Sequence, residues 1–173
     1  MMELRLRRAT PADAAALAAV EVASWRAAYR GMMPDAFLDA LSEAEKTAHW
    51  RENLLKHGQL GRKRVVVALV DERIIGFVRV GAEHEDSEAG LVYLLYVLPE
   101  YWRRGVGRRL ISAALDELRD LGLSYAMLWV LRDNQRARRF YEMQGWLEDG
   151  RASIDRYGDI ELEARRYRRT VDG

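Results

Sequence analysis

Hydrophobic and polar positions change their period in the middle of the chain, between Leu91 and Leu121. An apolar run from Leu91 to Val97 is followed by a proline and by a basic turn with two glycines, Gly105 and Gly107. Apolar residues then recur at helical spacing and leave arginines and acids on the opposite face; they are Val106, Leu110, Ile111, Ala114, Leu115, Leu118 and Leu121. The pattern predicts a strand, a glycine turn and an amphipathic helix, in that order.

The rest of the chain carries shorter patterns of the same two kinds. Alternating, valine-rich and aromatic runs predict strands near residues 4–7, 64–70, 74–80, 125–130 and 161–169. Capping residues followed by helical spacing predict helices near residues 10–29, 32–41, 42–56 and 134–145. Residues 148–160 mix Gly, Asp and Ser with Ile154 and Tyr157, and we expect a long or irregular connection there. Because strands and helices alternate between 91 and 146 while the other strands form hairpins, the sequence predicts an α/β fold with a mixed sheet.

The glycine turn is a candidate anion site. The first N–H groups of a helix have no partner inside the helix and lie at the positive end of its dipole. Glycines let a ligand approach the backbone, and Arg103, Arg104 and Arg108 add charge, so a phosphate or pyrophosphate would fit here. The dinucleotide fingerprint would need a third glycine where Leu110 stands, and the P-loop ending Gly-Lys-Ser/Thr is absent. The alternative is an ordinary helix start whose glycines serve packing.

Composition narrows the classes of function. The 173 residues suit one domain, and 28 Lys and Arg against 27 Asp and Glu leave a formal net charge of +1, so no overall field attracts nucleic acid or a membrane surface. The chain has no cysteine, which excludes disulfides, Cys–zinc sites and thiol nucleophiles. His49 and His57 have no second ligand at metal spacing, so we expect no metal. No run approaches the roughly 20 apolar residues of a membrane span and no apolar signal segment is present, so we expect a cytoplasmic protein.

Two segments resemble the GCN5-related N-acetyltransferase (GNAT) family. The stretch 91–121 is similar to its coenzyme A signature, and Asn134 to Trp146 is similar to its Asn-x-x-Ala-x-x-Phe-Tyr-x-x-x-Gly-aromatic helix. The motifs occur in the family's order, and residues 7–30 and 146–169 resemble its first strand and helix and its closing hairpin. The resemblance implies one N-acetyltransferase domain over residues 1–173. It also implies the family's three-layer fold, with a mixed, mostly antiparallel central sheet, a parallel pair splayed around the cofactor, and helices on both faces.

The resemblance also implies a place for acetyl-CoA, the cosubstrate. Its pantetheine arm would pair with the strand backbone at Leu95, Tyr96 and Val97, with a free N–H near Val97 for the thioester oxygen. The pyrophosphate would be held mainly by main-chain groups of the turn, which comprises Arg103, Arg104, Gly105, Val106, Gly107 and Arg108. Trp102 departs from the Gln or Arg that the family often has.

The second motif implies the catalytic acid. Asn134 would contact the coenzyme near the pantetheine; as a plain helix cap it would have no such role. Tyr141 lies two helical turns later on the same face and would donate a proton to the leaving thiolate. For Tyr141 the alternative is a core tyrosine beside Phe140.

The acceptor side is less constrained. Trp25 and Tyr29 share one face of their helix and would wall the acceptor pocket with Leu91 and Trp129, or else simply pack in the core. In relatives, a glutamate near the position of Leu91 or Trp129 often acts as the general base. Neither position is acidic here. The general base therefore stays open among Glu83, Glu85, Glu88 and water.

Two classes of function follow from these patterns. The first is an N-acetyltransferase that moves an acetyl group from acetyl-CoA to a primary amine by direct attack in a ternary complex. Its acceptor would be a small-molecule amine or an amine of a peptide or protein. The second is an acyl-CoA-binding sensor or interaction module without turnover. We expect no nucleic-acid or membrane partner, and the family resemblance is compatible with a homodimer.

Overall fold

The structure is a computed structural model and describes residues 3–57, 61–84 and 87–172. Within these residues, seven strands form one sheet in the order β1-β2-β3-β4-β5-β7-β6. The strands are β1 (Arg5–Arg8), β2 (Lys63–Val70), β3 (Arg73–Ala82), β4 (Ala89–Val97), β5 (Tyr125–Leu131), β6 (Leu147–Tyr157) and β7 (Ile160–Thr170). The helices are α1 (Ala14–Ala28), α2 (Asp35–Asp39), α3 (Glu43–His57), α4 (Val106–Asp120) and α5 (Gln135–Glu142). The strands pair antiparallel except β4 and β5, which confirms the mixed, mostly antiparallel sheet.

Helices cover both faces of the sheet. Gly90 of β4 lies under α4, because a Cβ built on it would stand 2.8 Å from Leu118 of that helix. On the other face the Phe77 ring of β3 meets the Trp50 ring of α3, with centroids 5.2 Å apart. The expected three-layer arrangement is therefore confirmed.

The parallel strands β4 and β5 separate soon after they begin. They pair only over Ala89–Leu91 and Tyr125–Met127. Tyr93 is an extra residue in β4, since Arg79 of β3 pairs with Leu94 and the next residue of β3 pairs with Val92. Such a bulge bends a strand and increases its twist. The rest of β4 thus runs along an opening between the two strands.

The expected irregular connection at 148–160 is wrong, because most of this segment is strand β6, paired with β7. β6 lies at the edge of the sheet and most of its side chains are exposed, so no buried face imposes an apolar alternation on its sequence. Its register also shifts between Glu148 and Ala152, where Gly150 has a φ of 81°. Pairing with β7 maintains this strand.

No helix in the described ranges combines the length and apolar character needed to cross a membrane.

Candidate active site

The opening between β4 and β5 exposes backbone groups of β4. The Leu98 N–H donates to the Ile75 carbonyl of β3, 2.8 Å away. Because backbone groups of alternate residues in a strand point to the same edge, those of Val97 and Leu95 face the opening. These residues lie where the sequence predicted that a pantetheine arm pairs.

Trp102 forms a hydrogen bond with one of these groups, the Val97 carbonyl. Its indole N–H donates to the Val97 carbonyl at 2.7 Å, and the Ser24 hydroxyl donates to the same oxygen at 3.2 Å. The Arg136 guanidinium, on α5, lies 3.7 Å from the Trp102 ring centroid, within the range of a cation–π contact. Trp102 departs from the family pattern, and Arg136 was not among the predicted site residues, because its contact with Trp102 joins distant segments. The free groups of β4 at this point are therefore the Val97 N–H and the groups of Leu95.

The two glycines of the turn differ in conformation and in contacts. Gly105 precedes α4 with a φ of 81°, a left-handed conformation that favours glycine. Gly107 packs closely on α5, because a Cβ there would stand 3.1 Å from Phe140 Cζ. No side chain caps α4, so the N–H groups of its first turn stay open to a ligand. Arg103, Arg104 and Arg108 are exposed around this turn, and Val106 is buried beneath it.

Asn134 and Tyr141 lie at the start and near the end of helix α5. The Asn134 Oδ1 accepts the N–H of Ala137 at 3.1 Å, so this buried residue caps the helix. Tyr141 is 9% exposed, and its ring packs on Phe140 and Trp146 at centroid distances of 5.1 and 6.0 Å. Burial raises the pKa of Tyr141 far above its ordinary value. The phenol therefore stays protonated at neutral pH.

An aromatic cluster lies between α1, β4 and β6. The Trp25 indole N–H donates to the Tyr96 hydroxyl at 2.8 Å, and the Trp25 ring meets those of Tyr29 and Tyr157 at 5.0 and 5.5 Å. Burial raises the pKa of Tyr29 and of Tyr96, and it raises the pKa of Tyr157 to about 12. Trp25 and Tyr29 were expected to lie together. Tyr157 was missed, because its segment was predicted to be a long or irregular connection.

Leu91 and Trp129 were predicted to line the acceptor pocket with Trp25 and Tyr29. Leu91 pairs with Met127 at the last parallel position, beside the point where the strands separate. Trp129 is 39% exposed, and its ring lies 5.9 Å from the guanidinium of Arg166 on β7. No described ring contact joins Trp129 to Trp25 or Tyr29. The assignment of Leu91 and Trp129 to the acceptor pocket stays a prediction.

The candidate bases lie in the loop before β4. Glu83 is partly buried, with its carboxylate 3.7 Å from the His84 Nε2, and its N–H donates to the Ala89 carbonyl at 2.9 Å. Glu88 is exposed, and Glu85 lies outside the described residues. In the part of the chain that the structure covers, no cluster of three His, Asp or Glu side chains could hold a metal ion.

Comparison with known proteins agrees with this geometry. The sequence model of the "Acetyltransferase (GNAT) family" matches residues 22–146. An uncharacterized N-acetyltransferase, YuaI, of Bacillus subtilis (strain 168) is 30% identical over 133 residues, which are 75% of this chain and 72% of that protein. Mycothiol acetyltransferase of Rhodococcus jostii (strain RHA1) is 38% identical over 79 residues, 44% of this chain and 26% of that longer protein.

Solved structures share the fold. The PaiA N-acetyltransferase of Thermoplasma acidophilum, in complex with coenzyme A, superposes with a TM-score of 0.74 at 21% identity over 95% of this chain and 98% of that one. The ribosomal-protein-S18-alanine N-acetyltransferase of Escherichia coli superposes with a TM-score of 0.68 at 19% identity over 98% and 94% of the two chains. The chain belongs to the GNAT acetyltransferase family and is an acetyl-CoA-dependent acetyltransferase.

Proposed function

We propose that this protein transfers the acetyl group of acetyl-CoA to a primary amine by direct attack in a ternary complex. The observation that carries the proposal is the separation of β4 from β5 after Leu91, directly before the uncapped first turn of α4. The opening offers backbone groups to an amide-containing arm, and the turn offers N–H groups to a pyrophosphate. Both lie next to α5, which carries a buried phenol.

The residues divide the chemistry between them. The Val97 N–H donates a hydrogen bond to the thioester oxygen as negative charge develops on it. The amine nitrogen forms a bond to the acetyl carbon, the carbon–sulfur bond breaks, and Tyr141 donates its proton to the departing sulfur. The amine loses a proton to Glu83, Glu85, Glu88 or a water molecule. Holding both reactants in one opening supplies the proximity that a reaction without a covalent intermediate requires.

The acceptor is a small-molecule amine or an amine of a peptide or protein. The names of two similar proteins cover both kinds, mycothiol and the alanine of ribosomal protein S18. The aromatic cluster of Trp25, Tyr29, Tyr96 and Tyr157 provides an apolar wall for an acceptor that carries hydrocarbon beside its amine. A homodimer is compatible with this proposal, and sedimentation equilibrium would measure the oligomeric state.

Calorimetric titration of acetyl-CoA and of free coenzyme A tests the proposal. We expect micromolar binding, reduced about tenfold or more by Arg104→Glu, because a negative charge at the turn repels a pyrophosphate. Arg51→Glu is the control, since Arg51 is equally exposed but lies on α3. Gly107→Trp is a poor probe, because it would also displace Phe140 from α4.

A panel of primary amines then separates the enzyme from a sensor. Release of free coenzyme A that depends on the amine supports the acetyltransferase. Binding of acetyl-CoA with no turnover on any amine would favour the sensor, and a folded wild-type protein that does not bind acetyl-CoA would contradict both.

A further inference from the structure

A second cavity lies apart from the glycine turn and α5. It has a volume of about 280 Å³ and opens between α3 and the sheet. Its walls include Trp50, Asn53 and Leu54 of α3, Lys63 of β2 and Arg79 of β3. No acidic residue is among its lining residues within the described ranges. The size suits a ligand smaller than those of typical drug-binding sites.

Arg79 is a partly buried cation that lacks a carboxylate partner in the described part of the chain. Its guanidinium lies between two aromatic rings, 5.8 Å from the Trp50 centroid and 5.7 Å from the Tyr93 centroid. The one hydrogen bond described for it goes from Nη2 to the Asn53 Oδ1, at 3.2 Å. Burial lowers the pKa of Arg79, and the charges of Tyr93 and Glu21 oppose that shift only in part.

The other cations that line the cavity are Arg8, Arg64 and Lys63. Arg8 and Arg64 share the carboxylate of Glu117, at 2.8 and 2.5 Å, and Asp120 lies 3.9 Å from Arg64, so both of these cations have acidic partners. Lys63 lies over the Tyr93 ring at 5.2 Å, and no ion pair to a described residue accompanies it. Among the described residues, Arg79 and Lys63 are therefore two cations of the cavity for which no ion pair with an acid is found. Buried charges are normally paired, so such a pair of cations favours a bound anion.

We propose that this cavity binds a small organic carboxylate, with Arg79 and Lys63 holding the acid group. Leu54, Leu55 and Val65 supply apolar wall, which favours a carboxylate with a hydrocarbon body over an inorganic anion. An arginine matches the planar carboxylate through two parallel N–H donors.

The position of Arg79 connects this cavity with the proposed active site. Arg79 pairs with Leu94 and stacks on Tyr93, the bulge residue of β4 beside the opening. The acid group of the acceptor itself is therefore one source of the carboxylate, and a separate carboxylate effector is the other. The first source rests on the proposed acetyl transfer, whereas binding of the carboxylate does not.

The binding test compares benzoate with benzamide, which has the same shape without the charge. By calorimetry we expect benzoate to bind wild-type protein at least about tenfold more tightly than benzamide does, and Arg79→Gln to remove that difference. Arg51→Gln, at an exposed position of α3 outside the cavity, is expected to keep it. Equal binding of the two compounds to the wild type, or benzoate affinity unchanged in Arg79→Gln, would overturn the proposal.

A second variant guards against a folding defect in Arg79→Gln. Lys63→Gln alters a less enclosed cation and is expected to weaken benzoate binding about threefold while thermal unfolding stays cooperative. If Arg79→Gln fails to fold, unchanged benzoate binding in Lys63→Gln would overturn the proposal. Acetyl-CoA is titrated into the same samples. If a variant loses benzoate binding but keeps acetyl-CoA binding, its substitution affects the cavity and not the acetyl-CoA site. If the wild type does not bind acetyl-CoA, the acetyltransferase proposal fails, and the carboxylate proposal is judged by benzoate binding alone.

Steady-state kinetics distinguishes the two sources of the carboxylate. Phenylalanine and phenethylamine differ only in the acid group. If the carboxylate belongs to the acceptor, Arg79→Gln raises the KM for phenylalanine about tenfold and leaves the KM for phenethylamine unchanged. If it belongs to an effector, benzoate changes the rate of phenethylamine acetylation in the wild type, and Arg79→Gln abolishes that change.

Discussion

Tyr141 is buried and is the proposed catalytic acid. Its side chain is 9% exposed and packs on Phe140 and Trp146, and burial holds its pKa above the ordinary value for a phenol. We expect Tyr141→Phe to keep acetyl-CoA affinity and to lower kcat about ten- to a thousand-fold, the usual range for loss of an acid–base group. Calorimetry and steady-state rates measure the two effects separately. Tyr125→Phe, on β5 beside Arg168, is the control, and a fully active Tyr141→Phe enzyme would remove Tyr141 from the mechanism.

The residues that sequence revealed and those it missed differ in the range of their contacts. Asn134 and Tyr141 stand in one local motif, so their spacing alone puts them on one face of a helix. Arg136 contacts Trp102, and Arg79 contacts Trp50 and Tyr93. These partners are distant in sequence, so the contacts could not be predicted from a local pattern. Arg79 did leave one local signal, because it interrupts an otherwise apolar strand.

Helix α5 has only two turns, so its cap is a large share of its stability. Asn134→Ala removes the acceptor of the Ala137 N–H. We expect the free energy of unfolding to fall by about 0.5–2 kcal/mol, measured by urea denaturation. Asn134→Ser keeps a capping oxygen and is expected to retain most of the stability. A loss of acetyl-CoA binding in Asn134→Ser at unchanged stability would assign Asn134 to the cofactor, and equal stability of all three proteins would contradict the capping role.

The turn before α4 depends on the conformation of Gly105. At a φ of 81° a side chain meets its own backbone, although no other atom lies within 4 Å of the Cβ position. We expect Gly105→Ala to lower the free energy of unfolding by about 1–2 kcal/mol, from urea denaturation. Gly105→Asn tolerates this conformation better and should lose less. If the alanine variant proves as stable as the wild type, the left-handed turn is not required.

Elements with one buried face were predictable, and elements without one were not. Helix α4 begins and ends close to its predicted limits because its apolar stripe packs on the sheet through residues such as Leu110 and Leu118. Strand β6 lies at the edge and carries the exposed side chains of Leu147 and Ile154, so its sequence shows no period. The same absence of period concealed Tyr157, and with it one wall of the aromatic cluster.

At the scale of the whole molecule, buried tyrosines make stability sensitive to alkaline pH. Tyr29 directly follows α1, and Tyr96, Tyr141 and Tyr157 lie in β4, α5 and β6. Burial raises the pKa of each hydroxyl above its value in the unfolded chain, about 10. The unfolded chain therefore releases these protons first as pH rises. The free energy of unfolding keeps the full contribution of these groups below pH about 10 and loses it as pH increases further.

Urea denaturation between pH 8 and pH 11.5 measures this dependence. Above the unfolded pKa, each fully buried tyrosine adds a slope of at most about 1.4 kcal/mol per pH unit, because the unfolded state binds one proton fewer than the folded state. Tyr141→Phe removes one such group, so we expect its unfolding free energy to fall less steeply than that of the wild type above pH 10. Tyr125→Phe, outside the cluster, is expected to follow the wild type. An identical alkaline slope in wild type and Tyr141→Phe would mean that Tyr141 ionises with equal ease in both states. Burial would then not favour the neutral form of this hydroxyl, although an unshifted phenol, with a pKa of about 10, would still be protonated at neutral pH and able to serve the proposed acid role.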